Sequence, residues 1–247
     1  LILNNLGFTY VLINQYQKAL YYLLKGLKLA RENNNRYALA ITLDSLCHAY
    51  RGLEDYPQAL EAGLESIQIC RELGKQREEC EYCLSVGLVY QRKGDDMSAL
   101  LYFEQSLNHA QRSGFRREEA DVLRRLGDIY LSQGQVPLAL SYLQRALELA
   151  LEIKAQHDIY KSYADLARAY KQIGEFEKAL THYEKFHLTK EQVFNEQADF
   201  RLKSLETAHR VEQAQKEAEI YRLRNQALQS EIEERKVAQA QAATGHL

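Results

Sequence analysis

The sequence predicts an all-α protein built from a row of helix hairpins, a solenoid with no single global core. The first observation is a set of apolar and small residues, clearest as Leu126-Gly127-x2-Tyr130, that recurs every 40 residues without slippage. The second is an alanine that follows each set at a constant distance. The sets begin at Leu6, Leu46, Val86, Leu126 and Leu166, and their alanines are Ala19, Ala59, Ala99, Ala139 and Ala179. Five copies in phase at such a period indicate a repeat architecture.

Each copy predicts two helices. The first, helix A, has apolar and small residues at the i, i+3, i+4, i+7 spacing of one helix face. In the fourth copy these are Leu123, Leu126, Gly127 and Tyr130. The alanine positions mark the buried face of helix B, after a short polar break. Pro57 and Pro137 fall just inside the start of helix B, where a missing N–H costs least.

This pattern resembles the tetratricopeptide repeat family, in which a Leu-Gly-x2-Tyr set in helix A precedes Ala-x3-Phe in helix B. The second motif corresponds to Ala19/Leu23, Ala59/Gly63, Ala99/Phe103, Ala139/Leu143 and Ala179/Tyr183. The usual period of this family is about 34 residues, so we expect longer helices or turns here. The resemblance implies a right-handed superhelical solenoid of five hairpins over residues 1–190. A long helical connector, with a coiled coil as one interpretation, would follow over residues 191–247.

The composition limits which partners and which cellular compartment we expect for this protein. The 247 residues carry a formal net charge of −2 and a pI of about 6.4, which gives no nucleic-acid footprint. No apolar run approaches the ~20 residues of a membrane span, and no signal peptide precedes the first repeat. We therefore expect a cytoplasmic protein that binds neither nucleic acid nor membrane. Because the chain starts without Met and inside a helix A, we expect it to be a segment of a longer protein.

We find no motif for catalysis, cofactor binding or metal binding. The sequence lacks a nucleophile elbow, a phosphate-binding loop, a dinucleotide fingerprint and a zinc-protease motif. Acidic and basic residues alternate at helical spacing, as is typical of solvated helix faces. Cys80-x2-Cys83 has no second pair to complete a zinc site. Buried thiols are the favoured interpretation of the cysteines, and a redox switch is the alternative. The sequence thus predicts a protein that is not an enzyme.

If the hairpins stack as in the family, the A helices line a concave groove. The groove positions are Asn4, Phe8, Asp44, His48, Arg51, Leu84, Leu88, Gln91, Arg124, Asp128, Arg168 and Lys171. The third repeat supplies an apolar centre, and the fourth and fifth supply basic residues. Such a surface suits an extended or helical peptide. The alternative is that several of these side chains are only solvated or packed against a neighbouring helix.

The family also contains a clamp for C-terminal carboxylates that uses Lys and Asn at fixed groove positions. Here those positions hold Asn4/Phe8, Asp44/His48 and Leu84/Leu88. The sequence therefore disfavours the acidic C-termini that chaperones present to this clamp.

The tail beyond the fifth repeat is rich in helix-forming residues and predicts a long helix. Heptad spacing indicates a dimer seam. The seam residues are Val211, Ala214, Ala218, Tyr221, Asn225, Leu228 and Ile232. Ile220, Leu223 and Ala227 form a competing stripe. Packing back onto the solenoid, or disorder at the extreme end, remains the alternative to dimerisation.

The tail also resembles the segment that joins tetratricopeptide arrays to output domains in bacterial signalling proteins. Those outputs are diguanylate cyclases, nucleotide cyclases or histidine kinases. The resemblance implies a sensory module that binds a protein or peptide and signals through the connector to a domain beyond residue 247. Two alternatives are a free-standing adaptor or scaffold and the peptide-sensing region of a transcription regulator.

Overall fold

The computed structural model describes residues 1–195, which form helices joined by short turns, without any strand in that range. The helices are α1 (Ile2–Leu12), α2 (Tyr16–Glu32), α3 (Arg36–Gly52), α4 (Tyr56–Glu72), α5 (Gln76–Lys93), α6 (Asp96–Ser113), α7 (Arg116–Ser132), α8 (Val136–Glu152) and α9 (Gln156–Gln172). A further helical stretch, α10, covers residues 176–195. Odd-numbered helices are the A helices and even-numbered helices the B helices. The all-α array of hairpins predicted from the sequence is confirmed.

A left-handed turn residue follows each of the helices α1–α9, and these residues recur every 20 positions. They are Asn14, Asn34, Glu54, Gly74, Gly94, Gly114, Gly134, Lys154 and Gly174. The next backbone N–H then bonds back to the end of the helix, as from Gln15 to the Tyr10 carbonyl oxygen at 2.9 Å. This is the bonding of a Schellman cap. From α2 to α9, helices of 17 residues with three-residue turns, or of 18 residues with two-residue turns, account for the long period, so the extra length lies in the helices.

Within a hairpin, the small residue of helix A receives a large side chain from helix B, 16 positions later. A Cβ built on Gly87 would come within 2.4 Å of the Phe103 ring, and one on Gly127 within 2.6 Å of Leu143. The second hairpin reverses the sizes. Cys47 occupies the A position, and a Cβ on its partner Gly63 would lie 3.1 Å from the Cys47 sulfur.

The motif tyrosines complete the hairpin core by stacking. Tyr90 and Tyr130 lie parallel to Tyr102 and Tyr142, with ring centroids 5.5 and 5.4 Å apart. Such offset stacking is favourable beyond the area that the rings bury. The third and fourth hairpins are thereby each held by one close backbone approach and one aromatic pair.

Residues Leu1–Lys190 form one compact unit. None of the helices within the described residues is both long and apolar enough to cross a membrane. The predicted dimer seam, from Val211 to Ile232, lies outside the described residues. The division into hairpins over 1–190 and a connector over 191–247 stays a prediction.

Candidate functional site

The A helices form the inner side of the array. The backbone of each A helix closely approaches that of the next A helix, whereas among α1–α9 no two successive B helices approach so closely. The row of A helices is therefore the shorter arc, which makes its exposed side concave. We call this side, formed by α1, α3, α5, α7 and α9, the inner surface.

A polar ladder joins successive A helices near their starts. Tyr37 Oη donates to Glu78 Oε1 at 2.7 Å, and Arg77 Nη2 donates to Glu118 Oε1 at 2.6 Å. The next pair along the array is Arg117 and Asp158, whose Nε and Oδ2 atoms lie 3.7 Å apart. Every pair is 41 residues apart, one repeat plus one position. The sequence predictions do not include this ladder, although the donors at 37, 77 and 117 and the acids at 78, 118 and 158 are its sequence signal.

His48 is the centre of the inner surface in the first three hairpins. Arg51 Nη2 donates to His48 Nδ1 at 3.0 Å. Because guanidinium groups only donate, Nδ1 is the acceptor and the ring proton lies on Nε2. Nε2 is 3.2 Å from Ser85 Oγ and 3.5 Å from Asp44 Oδ2. The Phe8 ring meets the imidazole edge-on, with centroids 5.9 Å apart. His48 thus links three successive A helices.

Two cavities flank this histidine. The Arg51 cavity, of about 470 Å³, is lined at the loop end of the helices by residues including Phe8, Val11, Tyr16, His48, Arg51 and Arg92. The Asp44 cavity, of about 310 Å³, lies towards the helix starts and is lined by residues including Asn4, Phe8, Tyr37, Asp44, Arg77 and Glu81. Phe8 lines both. The volume of the Arg51 cavity lies within the range of small-ligand sites.

Buried polar atoms on the walls of these cavities lack hydrogen-bond partners within the described part of the chain. They are Asn4 Oδ1, Asp44 Oδ1 and Arg51 Nη1. A buried polar group without a partner costs about 1–3 kcal/mol, and nearly all such groups in folded proteins are satisfied. A ligand that supplies the missing partners would recover that free energy.

The third hairpin contributes less open surface than the sequence suggested. Leu84 and Leu88 are partly buried, and both pack against a core cluster that contains Phe103 and Leu126. Gln91 Nε2 donates to Asp128 Oδ2 at 3.2 Å. The expected apolar centre is therefore partly used in joining α5 to α7.

The basic residues of the fourth and fifth hairpins are paired with acids. Arg124 is 8% exposed, and its guanidinium bonds to Asp121 at 3.0 Å and to Asp165 at 3.1 Å. Arg168 Nη2 bonds to Asp165 at 2.6 Å and to Asp128 at 2.8 Å. Three carboxylates thus offset the basic charge that the sequence suggested for this region. Lys171 lies exposed at its edge.

Burial and charge act in opposite directions on this network. Burial alone would raise the pKa of Asp121, but the neighbouring Arg125 and Arg124 guanidinium groups hold it below its ordinary value. Burial likewise opposes the charged form of Arg124, and Asp121 and Asp165 raise its pKa. Asp121 and Arg124 are therefore both charged at neutral pH.

The four cysteines, Cys47, Cys70, Cys80 and Cys83, are all buried. Burial raises the pKa of Cys80 to about 11 and those of Cys70 and Cys83 to about 12. Thiols in this state are poor nucleophiles. Within the residues that the structure describes, no group of three His, Cys, Asp or Glu side chains is placed to hold a metal ion.

Comparison with known families identifies the repeats. The profile of the tetratricopeptide repeat matches residues 78–152 and 118–186. Residues 78–186 therefore match tetratricopeptide repeats, as the Leu-Gly-Tyr and Ala sets of that stretch predicted. No curated protein matches the chain. The resemblance of the tail to signalling linkers stays a prediction.

Solved structures share the fold. The apo quorum sensor NprR from B. thuringiensis is 22% identical, with a TM-score of 0.65, over 78% of this chain and 55% of its own. A Rap protein complexed with competence and sporulation factor is 15% identical, with a TM-score of 0.63, over 78% of this chain and 64% of its own. A signal-transduction ATPase with a tetratricopeptide repeat sensor, from Pyrococcus horikoshii, is 21% identical, with a TM-score of 0.64, over 74% of this chain and 29% of its own. This chain therefore spans less than two thirds of the length of each of these three proteins. At such identities the likeness concerns the fold.

The charge network predicts a pH-dependent effect of Asp121→Asn. Because the folded state lowers the pKa of Asp121, the charged carboxylate stabilises the fold above its unfolded pKa of about 3.9. That stability is lost as the pH falls through the still lower folded pKa. We expect Asp121→Asn to reduce the free energy of unfolding at pH 7 by about 1–3 kcal/mol. The difference from the unchanged protein should shrink below about pH 4.

Thermal unfolding followed by circular dichroism between pH 3 and pH 7 measures this effect. Glu104→Gln is the matched control, because Glu104 is exposed on α6 and forms no ion pair within the described residues. A loss of stability for Asp121→Asn that is the same at pH 3 and pH 7 would show that the ion pairs do not stabilise the fold.

Proposed function

We propose that this chain is a non-catalytic module that binds a peptide, or a peptide segment of a protein, on its inner surface around His48. The observation that carries the proposal is the pair of cavities beside His48 with buried polar atoms that lack partners. A peptide backbone offers both N–H donors and carbonyl acceptors at regular spacing. It can therefore serve Asn4 and Asp44, which lack donors, and Arg51, which lacks an acceptor.

The distribution of charge favours the first three hairpins over the last two. In the fourth and fifth hairpins, the guanidinium groups of Arg124 and Arg168 already bond to aspartates. In the first and second, apolar walls such as Phe8 lie beside polar atoms without partners. Apolar walls with a few convergent polar groups are the usual composition of a ligand site.

The similar structures support the same class of function. Two of them are named as a quorum sensor and as a Rap protein complexed with competence and sporulation factor. Their arrays have the fold of this chain, so an array of this shape is suited to peptide recognition. As part of the proposal, we extend peptide recognition to the present chain.

Peptide selection tests the proposal. Random heptapeptides displayed on phage are selected against the full chain, and selected peptides are synthesised and their affinities measured by fluorescence polarisation. We expect Phe8→Ala and His48→Ala each to weaken peptide binding about tenfold. Each substitution removes a side chain that lines a cavity and contacts a neighbouring helix. Circular dichroism confirms that each variant is folded.

Tyr21→Ala is the matched control, since Tyr21 is an aromatic residue 56% exposed on α2, a B helix outside the inner surface. The control should bind as the unchanged chain does. Failure to select any peptide, or equal affinity of all three variants, would overturn the proposal.

We further propose that residues 191–247 connect this module to an output domain of a larger signalling protein and pair two copies of the chain. The support is the heptad spacing of the predicted seam, whose residues lie outside those the structure describes. An asparagine at an a position, such as Asn225, typically sets the register of a parallel two-stranded coil. Pairing of connectors would carry a change in the array to the domain that follows.

Sedimentation equilibrium of the full chain tests the pairing. We expect a dimer that Leu228→Glu dissociates, because the substitution places a charge in the predicted seam. Leu223→Glu, on the competing stripe, is the control and should leave the dimer intact. A monomeric unchanged chain, or dissociation by the control variant alone, would show that the predicted seam is wrong.

A further inference from the structure

The Arg51 cavity combines an apolar wall with two guanidinium groups. Phe8 and Val11 of α1 line it together with Arg51 of α3 and Arg92 of α5. The Tyr16 ring lies directly against Gly52, where a Cβ would come within 2.3 Å of it. Glycine at this position therefore lets the ring reach the α3 backbone at the cavity wall. Glu54 also lines the cavity and is the acidic residue of its rim.

Arg51 and Arg92 differ from the other arginines of the inner surface. Arg77, Arg124 and Arg168 each bond to a carboxylate at 3.1 Å or less. Neither Arg51 nor Arg92 has a carboxylate within 4.0 Å in residues 1–195, and this includes Glu54. The two side chains thus bring uncompensated positive charge to one cavity.

Arg51 is held in place but incompletely bonded. Its Nη2 donates to His48 Nδ1 at 3.0 Å, and its Nη1 is buried without a partner among the described residues. Burial lowers the pKa of the Arg51 guanidinium, and repulsion from Arg92 acts in the same direction. Asp44 acts in the opposite direction but does not overcome them. A buried cation in this condition gains more from an added anion than a solvated one does.

We infer that the Arg51 cavity is a subsite for a carboxylate of the bound peptide, held by Arg51 and Arg92. Guanidinium groups match the planar, two-oxygen geometry of a carboxylate. The Phe8 and Val11 wall takes the apolar side chain next to that carboxylate. The inference rests on the proposed peptide-binding function and specifies which group of the peptide is recognised.

This subsite lies farther along the A helices than the clamp positions of the family. Those positions hold Asp44/His48 in the second repeat and Leu84/Leu88 in the third. Arg51 and Arg92 follow His48 and Leu88 by three and four residues, about one helical turn. Carboxylate recognition here therefore uses residues that the family clamp does not.

The carboxylate has two possible sources, the peptide C-terminus and an Asp or Glu side chain. Four random heptapeptide libraries separate them, with a free C-terminal carboxylate or a C-terminal amide, each made with or without Asp and Glu. The full chain is incubated with each library in solution, and retained peptides are quantified by mass spectrometry. We expect at least one carboxylate-bearing library to be retained at least about tenfold more than the amidated library without Asp and Glu. Retention of the free-carboxylate library without Asp and Glu assigns the C-terminus, and retention of the amidated library with Asp and Glu assigns a side chain.

Three variants test whether the preference for carboxylate-bearing peptides depends on the Arg51 cavity. Arg51→Gln and Arg92→Gln should each abolish the preference for carboxylate-bearing peptides. Arg112→Gln should keep it, because Arg112 is exposed on α6 and has no carboxylate within 4.0 Å among the described residues. Arg92 is itself exposed, so its substitution tests the subsite even where loss of Arg51 disturbs the fold.

The outcomes distinguish this inference from the function on which it rests. Retention of the carboxylate-free library at the same level as the others overturns the inference and leaves peptide binding intact. A preference that survives both Arg51→Gln and Arg92→Gln also overturns it. If none of the four libraries is retained, the proposed function and this inference are both overturned.

Discussion

The close approach of the two helices in each hairpin determines the rest of this structure. Gly87 and Gly127 have no Cβ, so Phe103 and Leu143 lie against the A-helix backbone. In the second hairpin the sizes are exchanged, since Cys47 lies on helix A and a Cβ on Gly63 would lie 3.1 Å from its sulfur. The physical requirement is therefore one small partner in each pair, on either helix. A sequence pattern that requires glycine on helix A would therefore not recognise the second hairpin.

Close hairpins and regular turns produce the inner surface. Because a left-handed residue ends each helix at a constant interval, every A helix meets its neighbour in the same register. Side chains 37 or 41 residues apart then contact one another, as His48 does Ser85 and Arg124 does Asp165. Most charges of the inner surface are used in these contacts, which hold the array together. Among the buried polar atoms that remain without partners, Asn4 Oδ1, Asp44 Oδ1 and Arg51 Nη1 line the two cavities beside His48, where a ligand can reach them.

The sequence predicted those features that depend on neighbours within one repeat. The helices, the hairpins, the small positions and the turn at Gly134 follow from local periodicity and turn chemistry. It also placed Phe8, His48 and Arg51 correctly on the A helices. These inferences need only the helical period and the order of the elements.

The sequence did not predict how charges pair between repeats. From the sequence, Arg124 was predicted to be a basic residue of the groove. Its partner Asp165 could not be recognised, because it lies 41 residues away on another helix. Arg92 was absent from the groove positions because it follows the last of them, Gln91, in its helix. Its role appears only when α1, α3 and α5 are placed side by side. Pairing of this kind depends on the distances between helices, which periodicity within one helix does not determine.

The free energy of unfolding of two glycine variants, measured by chemical denaturation, tests the central claim most directly. Gly87→Ala places a methyl group against the Phe103 ring, whereas Gly26→Ala adds one at an ordinary contact distance of 3.5 Å in α2. We expect Gly87→Ala to lower the free energy of unfolding by about 1–3 kcal/mol. Gly26→Ala should leave it unchanged or raise it by up to about 1 kcal/mol. Equal effects of the two substitutions would contradict the claim that close approach within the hairpin holds this fold together.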